Sequence, residues 1–256
     1  MNDAERTYLE LSLTKLEEVL PYSKETLMKR YEADETGWSL EQIDDLVFCL
    51  FDYPVTHNMD QVILLVYDRK NRIIADCDAY HTDARSFLED SEIYDHLSED
   101  SDWMYLEHYV LSGTMFPDLP YPFCEQKKTT EETGEVLLYT NAYVSREFRR
   151  RGIFRRMLEN MKEHALQNAE GIQTVYTVMS MDPDIACYGP DARDEPYYYS
   201  FEQDEPIRLQ NAEIARRTGL TPLRLEPDDP EQETDGTKLW FCISREVCEI
   251  MEEPAA

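Results

Sequence analysis

The chain has 256 residues, 42% of them hydrophobic, and a formal net charge of −29. That length suits one large domain or one domain with an added segment, and the acidic excess argues against a general nucleic-acid-binding protein because phosphates would be repelled. No window reaches the roughly 18 apolar residues of a membrane span, and the first residues lack the pattern of a signal peptide. We expect a cytoplasmic protein without membrane contact.

The charge and the cysteines restrict the partners further. A negative surface favours the approach of a cationic substrate such as an amine, although solubility alone also explains it. The six cysteines are scattered and form no Cys-x-x-Cys pair. This argues against a zinc site and against a disulfide scaffold, so we expect no metal.

The first 58 residues predict a helical segment. Leucines on one face indicate a helix over 3–20, and Ser23 is placed to cap a second helix. Ser39 and Gln42 form the capping-box pattern of a third helix that runs to about Leu50. We expect a helical N-terminal segment over 1–58, either separate from the rest of the chain or part of one continuous domain with it.

From residue 59 onward the apolar runs are typical of strands. The runs 61–67 and 72–80, joined by a turn at 68–71, predict a hairpin. The remaining predictions, in chain order, are a helix within 83–102, a strand at 103–111, a loop at 112–134, a strand at 136–144, a helix at 153–169, a strand at 174–179, an irregular segment at 181–206, a helix at 207–217, and strands at 220–225 and 238–244 around an acidic loop.

An arginine-rich loop, Arg149–Gly152, separates the strand at 136–144 from the helix at 153–169. The start of a helix attracts anions because its free N–H groups and the positive end of its dipole face the ligand. The chain is acidic, yet arginine also occupies 146, 155 and 156. For Arg155 and Arg156 the alternative is a solvated helix face, with Arg155 paired to Glu159. The loop itself predicts a phosphate site.

The loop and the order of elements around it resemble the GNAT superfamily of acyl-CoA-dependent N-acyltransferases. In that family a strand ending in Val leads through a short spacer to Gln/Arg-x-x-Gly-x-Gly/Ala, which opens a helix. Here Val144, Arg149 and Gly152 fall in that register, and Phe154 stands where the family has Gly or Ala. The resemblance implies an α/β (α+β) fold over 59–250, with a mixed, mostly antiparallel central sheet flanked by helices.

The resemblance also implies a co-substrate, acetyl-CoA or another acyl-CoA. Backbone N–H groups of the loop would hold the pyrophosphate, and the strand end would meet the pantetheine arm through backbone hydrogen bonds. The cofactor-binding residues implied in this way are Ala142, Tyr143, Val144, Arg149, Arg150, Arg151, Gly152, Ile153 and Phe154.

The implied reaction is the direct attack of a primary amine, on a small molecule or a protein, on the thioester. A base would take the amine proton, and an acid would protonate the leaving thiolate. The position of the family's tyrosine acid holds Ala215, so Tyr188 becomes our candidate acid and Glu135 our candidate base. The ordinary alternatives are loop packing for Tyr188 and a strand-edge surface position for Glu135. His81 and His108 could also titrate, although a structural role is the commoner one.

Two other hypotheses stay open. The departures at Phe154 and Ala215 favour a CoA-binding regulatory or interaction module of the same fold without turnover. The arginines could instead meet a nucleic acid or an acidic partner. The N-terminal helices could complete the acyltransferase fold, cover the acceptor site or join two copies in a homodimer.

Overall fold

The computed structural model describes residues 2–18, 20–33, 35–98, 134–167, 169, 171–181, 201–225 and 238–250. The helices are α1 (Asp3–Leu16), α2 (Lys24–Glu32), α3 (Ala84–Glu89), α4 (Ser91–Ser98), α5 (Ile153–Ala165) and α6 (Phe201–Arg216). The strands are β1 (Gly37–Ile43), β2 (Leu46–Thr56), β3 (Met59–Tyr67), β4 (Ile73–Asp83), β5 (Gly134–Val144), β6 (Gly171–Ser180), β7 (Thr221–Leu225) and β8 (Lys238–Ile250).

The eight strands form a single sheet in the order β1-β2-β3-β4-β5-β6-β8-β7. Neighbouring strands are antiparallel except β5 and β6, which are parallel and are connected through α5. Helices cover both faces, with apolar side chains of α5 and α6 in one core and those of α1 and α2 in the other. We call these the α5 face and the α1 face. The predicted fold class, a mixed and mostly antiparallel sheet flanked by helices, is confirmed.

The two predicted N-terminal helices form, and local capping explains their starts. The side chain of Asn2 caps α1 in a reciprocal pair with Glu5. Ser23 caps α2 as predicted, because its Oγ accepts the N–H of Thr26 at 3.2 Å. The buried leucines of both helices then pack on the α1 face of β2 and β3.

The predicted third helix over 39–50 is wrong. The segment forms the β1–β2 hairpin, in which Ile43 pairs with Leu46 across a two-residue turn. The first turn residue, Asp44, has φ +54°, a left-handed conformation that Asp tolerates better than most residues. The apolar run 46–51 is buried on both faces of the sheet, and this burial outweighs the local capping-box pattern. The helical part of the N-terminal segment therefore ends with α2. The division of the chain at residue 58 stays a prediction.

Most later elements match their predictions, with two corrections. The β3–β4 hairpin, β5, α5, β6 and the β7–β8 pair all form. The region 83–98 holds two helices instead of one, because Asp90 ends α3 and its carboxylate caps the N–H of Glu92 at 2.9 Å. Within the predicted irregular segment, helix α6 already begins at Phe201. Pro206 is its sixth residue and removes one backbone hydrogen-bond donor from the second turn. The predictions for 101–133, 182–200 and 226–237 lie outside the described residues.

Strand β5 has two irregularities that shape its C-terminal half. Opposite β4, the register passes from Asp78–Asn141 to Ala79–Tyr139, so Thr140 is the extra residue of a bulge. Beside β6, the registered pairing stops at Tyr139–Met179, while β5 continues to Val144. The two parallel strands therefore part at the point where the bulge lies.

Candidate functional site

The loop between β5 and α5 turns the chain through two left-handed residues. Arg150 has φ +65° and Gly152 has φ +77°. A Cβ added at Gly152 would meet nothing within 4 Å, so the backbone angle and not lack of space favours glycine there. A non-glycine residue in this region is strained by about 1–2 kcal/mol, which makes Arg150 a costly feature for the fold.

The start of α5 lacks the caps that other helices have. Side chains of Asn2, Ser23 and Asp83 cap α1, α2 and α3, whereas α5 begins at Gly152 without a side-chain cap or an acidic residue in its first turn. The first hydrogen bond of α5 runs from the N–H of Arg156 to the carbonyl of Gly152, at 3.1 Å. Among the described residues no acceptor meets the N–H groups of 152–155, so these donors are available to an anion.

Three of the six arginines near this start are paired with carboxylates. Arg155 lies 3.0 Å from Glu159, which confirms the predicted helix-surface pair. Arg156 lies 2.6 Å from Glu41 on β1 and so ties α5 to the sheet edge. Arg151 is 3.4 Å from Asp45 in the β1–β2 turn. Their charges are thus partly neutralised within the fold.

The other three arginines keep their charge at the mouth of the loop. Arg146, Arg149 and Arg150 are exposed, and no described carboxylate lies within 4.0 Å of them. Arg149 is held in place because its Nε donates to the carbonyl of Val144 at 2.9 Å. Its guanidinium also lies 5.7 Å from the ring centre of Tyr143. A cationic rim therefore surrounds the open helix start in a strongly acidic protein.

Residues at the end of β5 and the start of α5 divide between packing and exposure. Ala142, Val144 and Phe154 are partly buried against the core of the α5 face, and Ile153 is part of that core. Phe154, at the position where the family has Gly or Ala, thus packs beneath the loop. The bulge turns Asn141 toward the α1 face, where it pairs in register with Asp78.

The candidate base Glu135 lies far from the loop. It is at the start of β5, nine residues before Val144, which is about 30 Å of extended strand. Its Oε2 is 2.8 Å from Nε2 of His81, and both side chains are about four-fifths buried, with 19% of each exposed. Both residues are candidates from the sequence, but their contact depends on the register of β4 and β5, which the sequence alone does not show. The structure therefore does not bring Glu135 to the predicted phosphate site.

The Glu135–His81 pair belongs to a larger cluster beneath the C-terminal end of α5. Nε2 of His164, in the last turn of α5, lies 2.8 Å from Oδ2 of Asp52 on β2. Burial would raise the pKa of Asp52, but the hydrogen bond and charge of His164 hold it below its usual value. For Asp60 nearby, burial dominates and the pKa is raised. The sequence analysis did not single out Asp52, Asp60 or His164.

A second carboxylate site, also missed, lies on the α1 face beside the bulge. Nε2 of Gln61 lies 2.9 Å from each carboxylate oxygen of Asp78 and donates to them, and the hydroxyl of Tyr53 donates to Oε1 of Gln61. Burial raises the pKa of Asp78 to about 7, against the opposing effect of Gln61 and of the N–H of Ala79. The available signal was the pair of aspartates, 76 and 78, inside the otherwise apolar run of β4.

The remaining candidates are either buried or not described. Ala215 is only 1% exposed and contributes a methyl group to the core of the α5 face, so it offers no proton donor. Tyr188 and His108 lie outside the described residues, and a role for Tyr188 as acid stays a prediction.

The described residues contain no group of three or more His, Cys, Asp or Glu side chains arranged to hold a metal ion. None of their helices combines the length and the apolar character that crossing a bilayer requires.

No protein-family model and no curated protein matches the chain. Solved structures do match it. An apo mutant of an agmatine N-acetyltransferase has 11% identity and a TM-score of 0.37, with 72% of this chain and 73% of that chain covered. A Drosophila melanogaster polyamine N-acetyltransferase has 12% identity and a TM-score of 0.34, with 73% and 74% covered. A nourseothricin acetyltransferase has 8% identity and a TM-score of 0.29, with 82% and 84% covered. All three are acetyltransferases by name.

Proposed function

We propose that the chain is an acyl-CoA-dependent N-acyltransferase. It would move an acyl group, acetyl in the first instance, from acyl-CoA to a primary amine of a small molecule or a protein. The observation that carries this proposal is the uncapped start of α5, which follows the end of β5 beyond its pairing with β6. Among the described residues, its first N–H groups meet no acceptor, and three of its arginines have no carboxylate within 4.0 Å.

The anion proposed for this site is the pyrophosphate of CoA. Four neighbouring N–H donors suit a group with many acceptor oxygens, and three arginines near the loop match more than one negative charge. In the same proposal the end of β5, residues 142–144, meets the pantetheine arm, and the thioester lies near the bulge at Thr140. Arg149 supports the arrangement because it links the loop to the carbonyl of Val144.

The chemistry needs a neutral amine, a base and a protonated leaving thiolate. Glu135 and Asp78 are competing candidates for the base, and Tyr188 remains the proposed acid. A small cationic amine is the favoured acceptor, because the net charge of −29 attracts cations. The proposed acyl transfer requires no metal.

Ligand binding is tested first by the melting temperature of the whole chain with CoA, acetyl-CoA and pantetheine. A ligand that binds only the folded state stabilises it by about 2.7 kcal/mol at roughly one hundred times its Kd. CoA and acetyl-CoA are expected to raise the melting temperature, and pantetheine, which lacks the phosphates, is expected to raise it far less. Equal shifts by all three ligands would contradict the phosphate assignment.

Two glycine variants locate the site. Gly152→Ala is expected to weaken the CoA shift, because the loop must distort to place a Cβ at φ +77°. Gly171→Ala is the matched control, since Gly171 has φ +73°, equally open space and a position at the start of β6. Both variants should lose similar stability, but only Gly152→Ala should lose ligand binding. If the two lose binding equally, CoA binds elsewhere.

Turnover is tested by the release of CoA thiol from acetyl-CoA in the presence of a panel of primary amines. Amine-dependent release supports the proposed reaction. A protein that binds CoA but turns over no amine would instead be a binding module of the same fold.

A further inference from the structure

Asp78 occupies a position that the acyltransferase chemistry can use. It lies on β4 directly opposite Asn141, next to the extra residue Thr140, and the hydroxyl of Thr140 donates to the Asp78 carbonyl at 3.3 Å. Adjacent strands lie about 4.8 Å apart, so Asp78 is one strand from the stretch of β5 that is proposed to hold the thioester. Asp76, two residues earlier on β4, is the other described carboxylate of this strand on the same face.

A chain of hydrogen bonds fixes the orientation of the Asp78 carboxylate. The hydroxyl of Tyr53 donates to Oε1 of Gln61, which turns the amide nitrogen of Gln61 toward Asp78. That nitrogen lies 2.9 Å from each of the two carboxylate oxygens. The rings of Tyr53 and Tyr22 pack nearly perpendicular to each other, with their centroids 6.2 Å apart. The carboxylate is thus oriented from one side, and the residue as a whole is half-buried.

Asp76 differs from Asp78 in its burial and in its hydrogen-bond partner. It is fully buried, and Nδ2 of Asn141 donates to its Oδ2 at 2.8 Å. Its place in the sheet suits a structural carboxylate that stabilises the bulge. Asp78 combines an oriented carboxylate with a half-buried position beside the bulge.

We infer that Asp78 is the general base that takes the proton from the attacking amine, an inference that rests on the proposed function. The amine nitrogen forms a bond to the thioester carbon, and the carbon–sulfur bond breaks with its electron pair on sulfur. One proton of the nitrogen passes to the Asp78 carboxylate, directly or through a water. The CoA thiolate takes a proton from an acid or from solvent, and Asp78 returns its proton to solvent. The products are the amide and CoA thiol.

The protonation behaviour of Asp78 suits this role. Its pKa of about 7, raised by burial, makes it a stronger base than an ordinary carboxylate and leaves much of it ionised near neutral pH. Among the described residues, the ionisable and charged groups of this face near Asp78 include Asp76 and Tyr80 on β4, Tyr53 on β2 and Tyr143 on β5. They also include His96 against Tyr80 from α4, and Tyr22 with Arg30 beside it from the α2 region. Cys49, Tyr67 and Tyr8 belong to the same face further along the sheet.

Glu135 is the competing base, and its geometry is less suitable. It lies on the opposite face of the sheet, five residues before Thr140, and its carboxylate is engaged with His81. The five residues of strand between Glu135 and Thr140 span about 16 Å, so an amine next to Glu135 would lie far from the bulge.

The test is the pH dependence of kcat/KM for three proteins: the unaltered chain, Asp78→Asn and Glu135→Gln. Asp44→Asn, at an exposed turn, serves as the matched control. Each protein is assayed with two amines of different pKa. The part of the pH profile that reflects an ionisation of the enzyme (a fixed limb) stays at the same pH with both amines, whereas the part that reflects ionisation of the amine moves with the amine's pKa. The unaltered chain should show a fixed acidic limb with a midpoint near 7, in line with the value for Asp78.

Asp78→Asn is expected to lower kcat at least about 100-fold and to abolish the fixed limb, while the acetyl-CoA shift in melting temperature remains. Gln61→Met tests independently whether the fixed limb belongs to Asp78. It removes a donor that lowers the pKa of Asp78, so the limb should move to higher pH without disappearing. Persistence of the limb in Asp78→Asn, or its loss in Glu135→Gln alone, would overturn the inference. Absence of turnover in the unaltered chain with all amines would instead refute the proposed function, and this inference with it.

Discussion

Nε2 of His164, in the last turn of α5, lies 2.8 Å from Oδ2 of Asp52 on β2. The contact joins the end of α5 to a strand three positions away from β5 in the sheet. The backbone N–H of Gly37 on β1 also donates to Asp52. One carboxylate therefore links α5 to both strands of the β1–β2 hairpin, which is distant from α5 in sequence.

This contact predicts a loss of stability in acid. The folded pKa of Asp52 lies below its unfolded value of 3.8, so its contribution to stability is present above that value and is lost as the pH falls through the folded pKa. Asp52→Asn should lower the free energy of unfolding near neutral pH and converge with the unaltered chain below about pH 4. Urea unfolding across this range measures the difference, with Asp44→Asn as control. A difference that stays constant with pH would contradict the assignment.

Asp78 predicts the opposite dependence. Its folded pKa of about 7 lies above the unfolded value of 3.8, so between these values the folded state retains a proton that the unfolded state has lost. Stability consequently falls as the pH rises through this window and is constant above it. Asp78→Asn should therefore gain stability relative to the unaltered chain as the pH rises from about 4 to about 7. Urea unfolding checks the sign, and a loss of relative stability over that window would exclude a raised pKa.

Arg150→Gly should separate stability from ligand binding. Glycine relieves the strain of φ +65° but increases the freedom of the unfolded chain, so stability should stay equal or rise by up to about 1 kcal/mol. CoA binding should weaken because a cation of the rim is lost, and the difference should shrink at high salt. Asn71→Gly is the matched control, because it relieves a similar left-handed conformation, φ +57°, in the β3–β4 turn, outside the arginine-rich loop. Titration calorimetry at two salt concentrations and urea unfolding measure both effects.

Ala215→Tyr should not restore an acid. Ala215 is 1% exposed in the core, so a phenol there would overpack it and lower the free energy of unfolding by about 1–3 kcal/mol or more. Thermal unfolding and CoA-thiol release measure the two consequences. Ala215→Ser, a small change at the same position, is the comparison. A stable Ala215→Tyr protein with faster turnover would show that the position opens onto the site.

The sequence predicted the position of the loop between β5 and α5 because its signals are local. A strand, a glycine in the left-handed region and an amphipathic helix occur within about thirty residues, and each has its own composition. The partners of the arginines were predictable only where they are local too. The Arg155–Glu159 pair follows from helical spacing, whereas the Arg156–Glu41 contact depends on where β1 lies.

The parts that the sequence did not predict depend on register and on burial between distant segments. The β1–β2 hairpin was mistaken for a helix because a capping-box pattern is visible locally and burial on both faces of a sheet is not. The environment of Asp78 depends on Gln61 from β3, on Tyr53 from β2 and on the bulge, and none of these can be placed before the strands are aligned.

The bulge at Thr140 gives β5 two separate sets of side chains. Ala142 and Val144 pack beneath α5, while Asn141 and Tyr143 face the side that carries Asp78. Under the proposed function, substitutions at 141 and 143 would change the surface that an amine meets without altering the packing of Ala142 and Val144 beneath α5. Acceptor preference could then diverge in evolution while the proposed cofactor site stays the same.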